Sequence, residues 1–197
     1  MPGLTVHTGR LAIYNEDNVD TDRIIPARFL SRVSRTGYGE LLFSDVRGGD
    51  FVLDTPEAQG ATVLVAGTNF GCGSSREHAV WAIQQWGFRA VIALATADSP
   101  GYSDIFRQNS ANCGLLLIEL DPASHAQLVA AGTNAEVTID VSAETVSLGD
   151  QTFRFTLTPA TKDQILRGLD LIGSTLEHAG AIDDYESRSA AFVPAPL

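Results

Sequence analysis

A glycine- and serine-rich stretch, residues 67–78, joins two segments with opposite structural preferences. The run before it, residues 61–66, is apolar and β-branched, which is typical of a buried strand. After it, apolar residues recur at i, i+3, i+4 and i+7 as far as Gly87, which predicts one face of a helix. A strand, a tight glycine turn and a helix N-terminus together direct free backbone N–H groups at whatever lies before the turn.

The composition of the chain limits the classes of molecule that it can bind. The formal net charge of −11 argues against nucleic acid or an anionic membrane surface. No apolar run approaches the ~20 residues of a membrane span, and the N-terminus lacks the layout of a signal peptide, so we expect a cytoplasmic protein without membrane contact. The two cysteines, Cys72 and Cys113, are expected as free thiols and are too few for a closed cysteine metal site.

The segments on either side of the glycine turn predict an α/β fold. Residues 10–14 predict a short strand, followed by a polar loop at 15–22 and a helical turn at 24–30. Residues 89–95 predict a second buried strand, so that strand, helix and strand form a right-handed βαβ unit with parallel strands. A third buried strand is predicted at 114–120.

Two further helices are predicted among these strands. The first covers residues 102–112 and is expected to direct Ile105 and Phe106 inward. The second has Pro122 at its first position and Asp121 as its cap.

The pattern changes from residue 135 onward. Residues 136–141, 145–148 and 152–157 alternate apolar and polar side chains, which predicts half-exposed antiparallel strands joined by tight turns. A helical extension of residues 158–197 follows. Its expected apolar stripe consists of Ile165, Leu166, Leu169, Ile172 and Leu176. We therefore predict one α/β domain over residues 1–197, with a mixed sheet and a helical C-terminal extension.

Ser74 admits two interpretations. Residues 74–77 match a capping box, in which Ser74 would accept a hydrogen bond from the Glu77 N–H while Glu77 reaches back. Under this interpretation Ser74 only caps a helix and contributes about 1 kcal/mol. Under the other, Ser74 acts on a ligand bound at the turn, provided that nearby positive charge stabilises its alkoxide.

The residues around Ser74 favour an anion. Gly71 and Gly73 keep side chains away from the turn, and Arg76 supplies a planar fork suited to carboxylate or phosphate. Two common nucleotide-binding motifs are absent. The phosphate-binding loop requires Gly-Lys-Ser/Thr after the glycines, which this chain lacks, and the dinucleotide motif Gly-x-Gly-x-x-Gly has Arg76 in place of its last glycine. A small carboxylate is therefore favoured.

Two other features stay open at this level. His78 lies on the same helix turn as the serines, which suits Ser-His-Asp hydrolysis poorly, and it can equally bond a neighbouring loop. Arg32 and Arg35 lie in a glycine-ended loop and suit either an anion contact or a solvated surface.

Residues 71–79 (GCGSSREHA), with 18–27 (NVDTDRIIPA) upstream, resemble the small subunits of 3-isopropylmalate dehydratases in the aconitase superfamily. The resemblance continues through 103–109 (SDIFRQN) and 168–176 (GLDLIGSTL), and so spans nearly the whole chain. It implies a swivelling β/β/α three-layer domain that closes over a large subunit. The family's reaction interconverts 2-isopropylmalate and 3-isopropylmalate by dehydration and rehydration, in leucine biosynthesis.

The resemblance also implies roles for individual residues. Ser74 matches the serine that removes, as alkoxide, the proton next to a carboxylate, and Asp22 matches an active-site acid. Ser75 and Arg76 match contacts to a substrate carboxylate, and Arg35 is the expected second anion contact. Gly73 belongs to the same substrate-binding turn. The segment that senses the substrate's side group in this family corresponds to Leu30, Ser31, Arg32, Val33 and Ser34.

The family's four-iron–four-sulfur cluster needs three thiolates, and this chain has two cysteines. We therefore expect no cofactor on this chain and the cluster on the large-subunit partner. Departures from the family pattern, a long loop at 95–101 and Leu117 where many relatives have proline, leave the substrate open. The alternatives are citraconate or 2-methylmalate, a homoaconitate-type acid or another alkylmalate, and finally a non-catalytic anion-binding protein of the same fold.

Overall fold

The computed structural model describes residues 3–74 and 76–189. One seven-stranded sheet has the order β4-β3-β2-β1-β5-β6-β7. Its strands are β1 (Val6–Tyr14), β2 (Val63–Ala66), β3 (Ala90–Leu94), β4 (Leu116–Leu120), β5 (Glu136–Asp140), β6 (Thr145–Leu148) and β7 (Gln151–Arg154). The helices are α1 (Thr21–Ile24), α2 (Glu77–Trp86), α3 (Asp104–Cys113), α4 (Pro122–Ala131), α5 (Pro159–Arg167), α6 (Leu171–Leu176) and α7 (Ala179–Ser189).

The sheet is mixed, as predicted. The pairs β4–β3, β3–β2 and β2–β1 are parallel. The pairs β1–β5, β5–β6 and β6–β7 are antiparallel, so the direction changes at β1. The predicted βαβ unit is confirmed, because α2 connects β2 to the parallel strand β3. Helix α2 ends at Gly87, whose φ of +127° favours glycine.

Two hydrophobic cores lie on opposite faces of the parallel strands. Along β2 the side chains alternate: Val63 and Val65 enter one core, and Leu64 and Ala66 enter the other. The core of Leu64 and Ala66 packs against α2 and α3. The core of Val63 and Val65 contains side chains of β5, β6 and β7 together with α4 and α5. The antiparallel strands thus share a core with the back of the parallel strands, which gives the layers of a β/β/α fold.

Strand β1 begins earlier than predicted. It starts at Val6 rather than residue 10, because residues 6–10 pair with β5 from Val6 opposite Asp140 to Arg10 opposite Glu136. These residues are half-exposed and lack the apolar run that marks the rest of the strand.

The prediction that Ile105 points into the core is wrong. Its side chain is 58% exposed, whereas Phe106 is fully buried. On α3 the buried positions are Phe106 and Ser110, four residues apart on one face, and Ile105 is rotated away from that face by one residue.

The predicted apolar stripe of the C-terminal helices is correct only at its beginning. Ile165 is buried, but Ile172 and Leu176 are 69% and 63% exposed. The reason is that α5 ends at Gly168, with φ +68°, and α6 begins anew after an Asp170 cap, so the helical periodicity does not continue across the break. Within the described ranges, no helix combines the length and the apolar character needed to cross a membrane.

Candidate active site

The glycine turn follows β2 directly and depends on backbone conformations that side chains disfavour. Asn69, Gly71 and Gly73 have φ values of +54°, +75° and +79°. A Cβ atom at Gly71 would also overlap the ring of Phe106, so this position requires glycine for two independent reasons.

The segment from residue 18 to 22 lies alongside this turn. The Gly71 N–H donates to the Val19 carbonyl (2.8 Å), and the Thr21 N–H donates to the Cys72 carbonyl (3.1 Å). Asp20 and Cys72 face each other in an isolated parallel bridge. The two sequence motifs, separated by about fifty residues, therefore form one structural unit.

The capping-box interpretation of Ser74 is wrong. Helix α2 begins at Glu77, and its cap position is Arg76, which is extended (φ −68°, ψ 136°) and makes no side-chain capping hydrogen bond. The Glu77 carboxylate turns instead toward α2 and α3, where it accepts from Trp81 Nε1 (3.2 Å) and Cys113 Sγ (3.5 Å). The Ser74 hydroxyl lies instead 3.4 Å from the Thr21 hydroxyl, on the neighbouring segment that the turn bonds at Gly71 and Cys72.

Ser74 is exposed, and its nearest described partner is Thr21. The two hydroxyl oxygens are 3.4 Å apart, and Thr21 itself is fully buried. Thr21 is a site residue that sequence reasoning missed, although it is the central residue of the Asp-Thr-Asp segment. Ser75, predicted to contact a carboxylate, lies outside the described residues.

Arg76 forms an ion pair with Asp22. Nη1 of the guanidinium donates to Oδ1 of the carboxylate, which is 52% exposed, while the arginine side chain is 23% exposed. Asp22 lies in the first turn of α1, immediately after Thr21. The structure thus brings together Ser74, Arg76 and Asp22, three of the predicted site residues, at one edge of the turn.

Arg35 is held farther along α2. Its guanidinium carbon lies 5.2 Å from the centre of the Trp81 ring, and its carbonyl accepts from Gln85 Nε2 (2.7 Å). Both contacts are with the helix that follows the turn, so the described contacts do not bring Arg35 to Arg76 directly.

The predicted specificity loop is exposed and locally bonded. Arg32 Nη1 donates to the Gly37 carbonyl (3.0 Å), and Ser34 Oγ lies 2.8 Å from Thr36 Oγ1. Ser31 and Val33 are exposed, Val33 completely, and the half-exposed Leu30 closes the preceding turn.

His78 packs as an aromatic residue. Its ring centre lies 5.5 Å from that of Tyr38 and 4.6 Å from that of Trp81. The histidine therefore connects α2 to Tyr38, four residues beyond the predicted specificity loop, which is closer to the loop contact than to a role in hydrolysis.

Both cysteines are free, as predicted. Burial, followed by the nearby Glu77 carboxylate, raises the pKa of Cys113 to about 12. Burial and Asp20 also raise the pKa of Cys72. Raised pKa values make both thiols weak nucleophiles at neutral pH. Among the described residues, no group of three or more His, Cys, Asp or Glu side chains is placed to hold a metal ion.

Comparison with known proteins matches residues 1–123 to the aconitase C-terminal domain. The 3-isopropylmalate dehydratase small subunits of Salinispora arenicola and Shewanella amazonensis are 44% and 45% identical, over 98% of this chain and 98% and 99% of theirs. The crystal structure of 3-isopropylmalate dehydratase from Methanocaldococcus jannaschii is 30% identical with a TM-score of 0.66, covering 92% of this chain and 99% of that one. This chain belongs to the family of 3-isopropylmalate dehydratase small subunits, within the aconitase superfamily.

Proposed function

We propose that this chain is the small subunit of a hydro-lyase that interconverts 2-isopropylmalate and 3-isopropylmalate by dehydration and rehydration, in leucine biosynthesis in the cytoplasm. One observation carries the proposal: an exposed serine hydroxyl, Ser74, and a guanidinium already paired with a carboxylate, Arg76, lie on the same turn. The names of the relatives support isopropylmalate over citraconate, 2-methylmalate or homoaconitate-type acids.

Arg76 binds a carboxylate of the substrate. Its planar fork matches the two oxygens of a carboxylate, and Asp22 already occupies part of that fork. Gly73, three residues before Arg76, is exposed, and a Cβ built there would lie 3.5 Å from its nearest neighbour, the Cβ of Asp20. Ser75, the residue before Arg76 in the sequence, contributes a second contact to the same carboxylate.

Ser74 acts as the base. Its Oγ, as alkoxide, takes the proton from the carbon next to the bound carboxylate. The Thr21 hydroxyl at 3.4 Å favours that charge because it can donate to the oxygen, and Arg76 is the cationic residue nearest to Ser74 in the sequence. Asp22 is the active-site acid and also orients Arg76.

The residues of this chain do not fit the iron–sulfur cluster of the family. The chain has two cysteines, both with raised pKa values, whereas a cluster of this type needs three thiolates. The cluster therefore belongs on a large subunit. There it would supply Lewis acidity toward the departing hydroxyl group.

The loop from Leu30 to Ser34 selects the substrate's side group, and Arg35 provides the second anion contact. The fully exposed Val33 offers an apolar surface suited to an isopropyl group once the large subunit covers it. We also propose that residues 1–197 act as one domain that closes over that partner as a unit.

Reconstitution tests this function. The purified chain is expected to be inactive on 3-isopropylmalate alone and to become active when mixed with a cluster-loaded large subunit of the family. A panel of 2-methylmalate, citraconate and homoaconitate in the same assay is expected to give lower kcat/KM than isopropylmalate. Activity of the chain by itself, or a preference for another acid in the panel, would overturn the proposal.

A further inference from the structure

Ser103 holds the cap position of α3 but does not cap its helix. Its φ and ψ of −73° and 152° are those of a cap residue, yet its side chain makes no capping hydrogen bond. A serine in this position ordinarily stabilises a helix by about 1 kcal/mol. Instead, Ser103 Oγ donates to the carbonyl of Gly71, at 3.0 Å.

The backbone around Ser103 follows the glycine turn residue by residue. The Asn69 N–H donates to the Pro100 carbonyl (2.9 Å), and the Phe70 N–H donates to the Gly101 carbonyl (2.8 Å). Ser103 then reaches Gly71, so three successive turn residues are fixed by one segment. We refer to residues 100–103 as the bracing segment.

The bracing segment is itself fixed to the sheet from behind. The N–H of Gly101 donates to Glu119 Oε1 (2.6 Å), and Arg107 Nη2 donates to the same oxygen (2.5 Å). The buried hydroxyl of Tyr102 lies 2.7 Å from the Val91 carbonyl, on β3. The segment is therefore tied by hydrogen bonds to the strands β3 and β4.

The backbone of Gly71 is thus hydrogen-bonded on two sides. Its N–H bonds the Val19 carbonyl, which belongs to the segment of Thr21 and Asp22, and its carbonyl bonds Ser103. Gly71 lies three residues before Ser74, and the only intervening residues are Cys72 and a glycine in the left-handed region. A shift of the Gly71 carbonyl therefore passes directly to the serine.

We propose that Ser103 is a positioning residue for the reaction: its hydrogen bond to the Gly71 carbonyl holds the turn so that Ser74 faces a substrate bound at Arg76. This inference rests on the proposed function of Ser74. Misplacing a reacting group by about 1 Å can lower a rate about 100-fold, so loss of this bond is expected to lower kcat about 10- to 100-fold. KM is expected to change less than about twofold, because Arg76 and its ion pair remain.

The test compares three variants in the reconstituted complex. Ser103→Ala removes the hydroxyl, Ser103→Thr retains it and is expected to restore most of kcat, and Ser124→Ala removes the hydroxyl of a serine at the start of another helix, α4. Ser124→Ala is expected to leave kcat unchanged. A kcat for Ser103→Ala within twofold of the wild type, or a rise in KM at constant kcat, would overturn the inference.

Amide hydrogen exchange of the isolated chain separates this inference from the proposed reaction. Ser103→Ala is expected to accelerate exchange at residues 70–74 and to leave α4 unchanged, while Ser124→Ala does the reverse. If the wild-type complex does not act on isopropylmalate but exchange responds in this way, the proposed function fails and the support of the turn stands. Unchanged exchange at residues 70–74 in Ser103→Ala would overturn the support itself.

Discussion

The carboxylate of Asp22 is bound to the guanidinium of Arg76, the group proposed to hold the substrate. In the absence of substrate, the carboxylate of Asp22 therefore occupies the position on Arg76 that a substrate carboxylate would take. Because Asp22 is half-exposed, the pair is weak, in the range of about 0–1 kcal/mol for such pairs, and a substrate carboxylate can share or displace it.

Neutralising Asp22 is therefore expected to have two opposite effects. In the complex, Asp22→Asn releases Arg76 and is expected to tighten binding of an unreactive dicarboxylate inhibitor up to about fivefold, the equivalent of the pair's energy. At the same time kcat is expected to fall, because the carboxylate that orients Arg76 in the proposed site is lost. Inhibition constants of Asp22→Asn and of the exposed Asp183→Asn give the comparison. An inhibitor that binds Asp22→Asn more weakly than the wild type would contradict the internal competition.

Replacing Arg76 with lysine keeps the charge but removes the fork. Arg76→Lys is expected to lower kcat/KM about 10- to 100-fold, the range expected for losing a hydrogen bond between charged groups. Arg188→Lys, on the exposed α7, is the matched control and is expected to have no effect. Wild-type kcat/KM in Arg76→Lys would show that Arg76 contributes only charge.

Gly71 is expected to be intolerant of a side chain. Gly71→Ala places a Cβ in the left-handed region, at about 1–2 kcal/mol, and also against the ring of Phe106, so unfolding free energy is expected to fall by more than about 2 kcal/mol. Gly149→Ala is the control, since Gly149 has a φ of +56° with open space around it. Urea unfolding of both variants measures the difference. Equal losses would show that the Phe106 contact is unimportant.

His125 is expected to make the fold sensitive to acid. Burial lowers its pKa from 6.5, although the hydrogen bond between its Nε2 and the Ala66 carbonyl (2.8 Å) partly opposes this. The unfolded chain therefore binds a proton more readily than the folded one below about pH 6.5. The stability linked to neutral His125 is complete above that pH and is lost progressively as pH falls toward the folded pKa.

Unfolding free energies between pH 5 and 8, on His125→Gln and on the exposed His178→Gln, test this dependence. His125→Gln is expected to flatten the acid slope, and His178→Gln to keep it. The same acid slope in His125→Gln as in the wild type would assign the effect to other groups.

Local signals in the sequence predict much of this fold. Helix α4 follows its Asp121 cap and Pro122 as expected, because the cap bonds the first turn of its own helix. Prediction fails where tertiary contacts override a local signal: residues 74–77 satisfy a capping box, yet α2 has Arg76 at its cap position and the Ser74 hydroxyl lies beside Thr21.

Residue patterns in the sequence predict the site less well than they predict the fold. Spacing alone indicates an anion at the turn but gives no reason to join Asp22 to Arg76, which are 54 residues apart, and only the family resemblance singled out Asp22. The place of Thr21 beside Ser74 is not predictable from the sequence, because a buried hydroxyl has no periodic signature. Ser103 carried the standard signal of a helix cap, and only the structure reveals its bond to Gly71.

The central claim is that Ser74 is a base that works in a complex. The most direct measurement is turnover of 3-isopropylmalate by complexes reconstituted with Ser74→Ala, with Ser187→Ala as an exposed serine outside the site. Ser74→Ala is expected to reduce kcat by at least about 100-fold, the scale of losing a general base, with unchanged affinity for the large subunit, and Ser187→Ala to behave as the wild type. A rate near that of the wild type in Ser74→Ala would contradict the account.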